Sequence, residues 1–173
     1  MAVTFAAGLA AQSAPPMERL LQQAGMRVAV AHERARASRE LRVRWLSEKG
    51  ADGKPTGGRL QFIERIERND PPPRQRSPEM SSDQLVVTVL DAQDNVRCWQ
   101  IVTDPRLVRG EFPDASGNLH KTVFYRTDVE LNVSVPGGID AAEVRILGPG
   151  WDNQGELKLS TLTALKLAGT ARQ

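Results

Sequence analysis

The chain has 173 residues, 23 basic and 21 acidic side chains, a net charge of +2, two histidines and one cysteine. That length fits one domain with a core of its own, burying about two-thirds of its unfolded surface. The near-neutral balance disfavours nucleic acid as a partner, a lone thiol excludes an internal disulfide, and no Cys/His cluster exists for zinc or an iron–sulfur centre.

The stretch "MAVTFAAGLAAQSAPP" (1–16) is small and apolar as far as Ala11, then polar and proline-rich. It reads as a signal-peptide remnant with cleavage near Ala10 or Ala11, or as a disordered leader, although no Lys or Arg precedes the apolar run. The expected location is therefore secreted or periplasmic, with the cytoplasm as the alternative. No segment offers the roughly 20 apolar residues of a membrane span.

Residues 17–38 predict an N-terminal helix, with Leu20, Leu21, Ala24, Val28 and Ala31 near one face. The other reading is a short helix to Gln23, a stop at Gly25, and a strand from Met26. From residue 39 to 173 the pattern becomes that of one β-domain. Leu41, Val43 and Trp45 alternate with Arg42 and Arg44, a half-buried strand with a wet arginine face. The cluster Arg34, Arg36, Arg39, Arg42 and Arg44 reads as a solvated face, with a stripe on nucleic acid as a weaker reading.

"KGADGKPTGG" (49–58) is a loop and lacks the residue order of a phosphate-binding loop. "RLQFIERIER" returns as a strand or a helical turn. Three consecutive prolines mark 69–83 as a stiff surface loop. "QLVVTVLD" is apolar on both faces, as a central strand should be, and "VRCWQIVT" returns beside it after the turn "DAQDN". "LVRGEF" and "HKTVFYRT" flank the turn "PDASGN"; "DVELNVSV" alternates strictly; "GPGWDNQG" is a turn before a last strand or terminal helix. Seven to nine short strands between turns predict an antiparallel β-sandwich with an N-terminal helix. The cadence resembles immunoglobulin-like and fibronectin type III-like sandwiches, a shape that carries no functional residues across.

Alternation places Val96, Cys98, Gln100 and Val102 on one face of their strand, so Cys98 reads as a small core hydrophobe with a raised pKa. Chemistry is otherwise sparse. There is no GxSxG elbow, no SxxK pair and no HExxH, and His32 and His120 have no local metal spacing. Asp91, Asp94 and Asn95 have the oxygens for calcium but lack the ligand ladder of an EF-hand loop. "NVS" (132–134) matches a glycan acceptor in the middle of a strand.

Among Trp99, Tyr125 and Trp151, the last sits in a Gly/Pro-rich turn and is the one candidate ligand-binding aromatic. No catalytic residue, metal ligand or cofactor site is assigned. The function expected is an exported, non-enzymatic binding module for a protein or a glycan. The alternative is a hydrolase or lyase whose histidines and carboxylates meet only in the fold.

Overall fold

The computed structural model describes residues 16–30, 35–73 and 80–167. Along them lie helix α1 (Pro16–Gln23) and strands β1 (Arg27–Val28), β2 (Ser38–Leu46), β3 (Arg59–Arg68), β4 (Gln84–Leu90) and β5 (Asn95–Thr103). β6 (Leu107–Pro113), β7 (Leu119–Tyr125), β8 (Asp128–Pro136), β9 (Glu143–Trp151) and β10 (Leu157–Lys166) follow. A five-stranded sheet has the order β1-β5-β4-β9-β10, a three-stranded sheet the order β3-β2-β8, and β6-β7 form a separate ribbon. Among the described residues every strand pair is antiparallel except β1 with β5. The two larger sheets pack as a β-sandwich, with one short helix at its N-terminal side. No described helix is long and apolar enough to cross a membrane.

Between residues 16 and 30 the chain takes the helix-then-strand reading. The helix ends at Gln23, and Gly25 turns it with φ +79°, a conformation without steric penalty only where there is no Cβ. The helix is amphipathic: Met17 and Leu21 are buried with Met26 against Val86, Leu90, Val96, Leu147 and Leu159 on the outer face of the five-stranded sheet. The inner face of the same sheet supplies Leu85, Val87 and Val89 to the core between the sheets. β4 is thus covered on both sides, as its unbroken apolar run requires.

The facing sheet contributes Leu41, Val43 and Trp45 from β2 and Val129, Leu131, Val133 and Val135 from β8, both strictly alternating. Outward-facing Arg42 pairs with Glu64 at 2.6 Å, Arg68 with Glu40 at 2.8 Å, and Arg44 with Asp128. The solvated arginine face is therefore a ladder of exposed ion pairs whose attraction is largely screened by solvent. Arg39 departs from that reading: it shares the inward row with Leu41, and its side chain is only 19% exposed. Arg34 lies outside the described residues.

Bulges account for the other departures. One at Arg97 makes Leu90 oppose Val96 while Val89 opposes Cys98. Val96 therefore faces the helix and Cys98 the inter-sheet core, not one shared face as strict alternation has it. "GPGW" is strand rather than turn: past Leu147 β9 pairs only with β10, so Pro149 leaves no partner without a donor on its other side. The final segment is strand β10, not a helix.

Leu21 is fully buried and joins the helix to the sheet. Leu21→Ala should lower unfolding free energy by about 2–4 kcal/mol in urea titrations, with far-UV circular dichroism still β-dominated.

Candidate functional site

The long sides of the sandwich are closed differently. Between β5 and β8, the Gln100 side chain stands in for a peptide group: its amide donates to the Asn132 carbonyl and accepts from the Ser134 N–H, both at 3.2 Å. On the β3/β10 side, the glycines that precede β3 lie against β10. Thr163 Oγ1 donates to the Gly58 carbonyl at 3.0 Å, and a Cβ on Gly57 would lie 2.2 Å from the Leu162 carbonyl oxygen. Only glycine permits that approach.

Away from this contact, toward Arg65, Glu67 and Leu167, lies a half-open cleft of about 510 Å³. Leu41, Phe62, Ala141 and Leu167 give it an apolar lining. Its charges come from a bulge at Ile63, where Val43 opposes Phe62 but Arg42 opposes Glu64. Uninterrupted alternation from Leu60 and Phe62 would send Glu64 and Ile66 inward. The extra residue instead sends Arg65 and Glu67 inward, beside Leu41 and Arg39. Glu67 Oε1 accepts from Arg65 Nε at 2.9 Å and from Arg39 Nε at 3.0 Å. Arg65's hydrogen bond, ahead of the Arg39 contribution, holds the Glu67 carboxyl below the usual carboxylate range. Lys166 sits at the rim and has no ion-pair partner among the described residues.

At the other end of the sandwich the ribbon leaves the sheets. Among the described residues β6 and β7 pair only with each other, and residues 111–121 are all exposed. Phe112 and Phe124 meet edge to face on one side of the ribbon, 5.3 Å between centroids. The Phe112 ring lies over Gly110, where a Cβ would come within 2.6 Å of it. On the opposite side Leu119 and Val123 are 66% and 49% exposed.

The base of the ribbon is rigid. Asp104 holds the buried Arg106 through both carboxylate oxygens at 2.8–2.9 Å, and Arg106 donates to the Thr56 carbonyl at 3.1 Å. The guanidinium stacks 3.8 Å above the Trp45 ring, whose indole N–H donates to the Gly57 carbonyl. Nothing in the sequence pattern marks Arg106, which sits in what reads as a plain turn.

Trp151 ends β9 opposite Leu157, with its side chain about half exposed, at the ribbon end of the sandwich. It has no ring partner and lines neither the cleft nor the polar depression between Arg44, Pro105 and Arg126. Trp99 and Tyr125 are half-buried, Trp99 on the helix side of its sheet. Exposed Phe62, Phe112 and Phe124 were not singled out by sequence, since each lies in a short strand where burial is the default reading.

His32 lies outside the described residues. His120 bonds through Nε2 to Asp114 Oδ2 at 2.8 Å on the exposed ribbon. Asp114 Oδ1 meanwhile accepts the Ser116 and Asn118 N–H groups, and Asp152 repeats this with Gln154 and Glu156. Asp91 does the same with Gln93 and Asn95, and it also receives the Asn95 amide and Arg97. These carboxylates close hairpin turns. Among the described residues no group of three or more His, Cys, Asp or Glu is arranged to hold a metal ion.

No protein-family model matches the chain, and no curated protein or solved structure does either.

Cys98 is buried in the inter-sheet core, and desolvation pushes its thiol from 9.0 up to about 12. Well below pH 9.0 it is protonated in both folded and unfolded chains and contributes no pH dependence, and at pH 9.0 the unfolded thiol is half ionised. Above that, the unfolded chain loses the proton first, so stability falls by about 1.4 kcal/mol per pH unit toward pH 12. Denaturation midpoints of wild type and Cys98→Ala should therefore converge or cross between about pH 8 and about pH 10, and the folded thiol should resist aromatic disulfide reagents at neutral pH.

Proposed function

We propose that this chain is an exported, non-enzymatic interaction module that grips a protein partner through the β6-β7 ribbon. The observation that carries the reading is the ribbon itself, a two-stranded element with Phe112, Leu119, Val123 and Phe124 exposed and no further sheet among the described residues paired with it. An isolated two-stranded hairpin is marginally stable in water, and exposed apolar clusters of this kind are where proteins meet partners. The Arg106–Asp104–Trp45 assembly fixes the ribbon's root, which limits the ordering cost of docking.

A protein fits better than a glycan. Both ribbon faces carry apolar side chains, and Leu119 and Val123 offer no flat ring for a sugar. Trp151, at the same end, serves as an additional aromatic contact. For the hydrolase or lyase alternative, the Asp91, Asp114 and Asp152 carboxylates are engaged in turn closure and His120 is paired with Asp114 on the exposed ribbon.

A photo-crosslinking residue at position 124, introduced into the full chain in its native host, should yield one discrete protein adduct. The purified partner should lose at least about thirtyfold in affinity for a Phe112→Ser, Leu119→Ser double variant of unchanged circular dichroism. Equal binding of the double variant would remove the ribbon from the reading. Export is checked separately by mass spectrometry of the N-terminus in that host. Cleavage near Ala10 or Ala11 is the expected result, and an intact Met1-bearing chain in the cytoplasm contradicts it.

A further inference from the structure

The geometry points to the β3-β10 cleft as a binding site for a small amphiphilic carboxylate, an unbranched apolar tail carrying one anionic head. The site lies at the end of the sandwich away from the ribbon. Along β2, Arg39 pairs with Val135 near the end of β8, whereas Leu46, at the ribbon end, pairs with Asp128. A cavity of about 510 Å³ is within the usual size of small-molecule sites, roughly 300–1,000 Å³.

Two observations define the ligand. Leu41, Phe62, Ala141 and Leu167 form an apolar half of the lining that suits a hydrocarbon tail, and Arg39, Arg65, Glu67 and Lys166 form its charged half. The charges at the mouth are unbalanced: Arg39 and Arg65 converge on the single carboxylate of Glu67, and Lys166 adds a further cation at the rim. Arg65 uses only Nε for Glu67, and its terminal Nη groups make no hydrogen bond to a described residue. That leaves the two-pronged end of a guanidinium for a second carboxylate. Glu67 occupies the neighbouring donors much as a ligand head would. The bulge at Ile63 places this set over an apolar floor, where strict alternation would have put Glu64 and Ile66.

Isothermal titration of the full chain with octanoate, decanoate and dodecanoate tests the assignment. Affinity should rise about two- to fourfold per methylene until the cleft is filled, and decylammonium should bind at least tenfold more weakly than decanoate. Arg65→Gln should lose about tenfold for decanoate, Phe62→Ser should flatten the chain-length series, and Glu67→Gln, which removes the competing negative charge, should bind more tightly. Phe124→Ser on the ribbon should change none of these values. Equal affinity for decylammonium, an Arg65→Gln variant that binds like wild type, or the absence of saturable dodecanoate binding would each overturn the proposal. Loss of binding in Phe124→Ser would do the same by moving the site to the ribbon.

Discussion

The fold depends on one strand that must be covered twice. β4 carries Leu85, Val87 and Val89 on one face and Val86 and Leu90 on the other, all essentially inaccessible to water. One sheet layer can cover only one of these faces. The three-stranded sheet answers the inner face with Trp45, Val43 and the valines of β8, and a helix of only eight residues answers the outer face. So short a helix has little intrinsic stability, and its existence follows from the apolar surface it covers rather than from its own hydrogen bonds. The helix, the sandwich and the order of the central strands are therefore consequences of one apolar run.

Covering β4 does not decide what happens at the margins, and there the bulges act. At Arg97 the extra residue sends Val96 to the helix side and Cys98 to the core, so both layers receive an apolar side chain from β5. At Leu162 it lets Thr163 reach the Gly58 carbonyl and lays the Leu162 side chain against Gly148. At Ile63 it turns Arg65 and Glu67 inward. Each is a one-residue change of phase in an otherwise regular strand. Two strengthen packing, and the third weakens it in the apolar sense by exchanging an isoleucine for charge.

That distinction explains what was legible in the sequence. Alternation at 41–45 and 129–135, the two-faced run at 85–90 and the Asp-led turns at 91, 114 and 152 each state their structure locally, since a side-chain period or an Asx turn needs no distant partner. A bulge has no compositional mark, so the shared face assigned to Val96 and Cys98 and the inward turn of Arg65 and Glu67 could not be read. Arg106 was missed for a related reason. Its partners Trp45, Thr56 and Asp104 are brought together only when the loop 47–58 and the ribbon root meet. Trp151 reads from the sequence as part of a turn, but it ends strand β9, which reaches through Pro149 because its far side has no neighbour, a property of sheet order and not of the local sequence.

A sandwich open along β3 and β10 also exposes two unpaired strand edges, the usual starting point for edge-to-edge aggregation. Both are blunted, β3 by Arg59, Arg65 and Arg68 with the Ile63 bulge, β10 by Lys158, Lys166 and the Leu162 bulge. Protection of an edge is thus one sufficient reason for charges there, and inward-pointing charge is one of its known forms. It gives no reason for the floor beneath them. Charges that only guarded the edge would be as effective over a filled core, with Phe62 folded in. Instead Phe62 stands about half exposed at the opening, while on the opposite side the Gln100 side chain bridges β5 and β8. At β5 and β8 a side chain bridges the two sheets, and at β3 and β10 arginines stand around an opening.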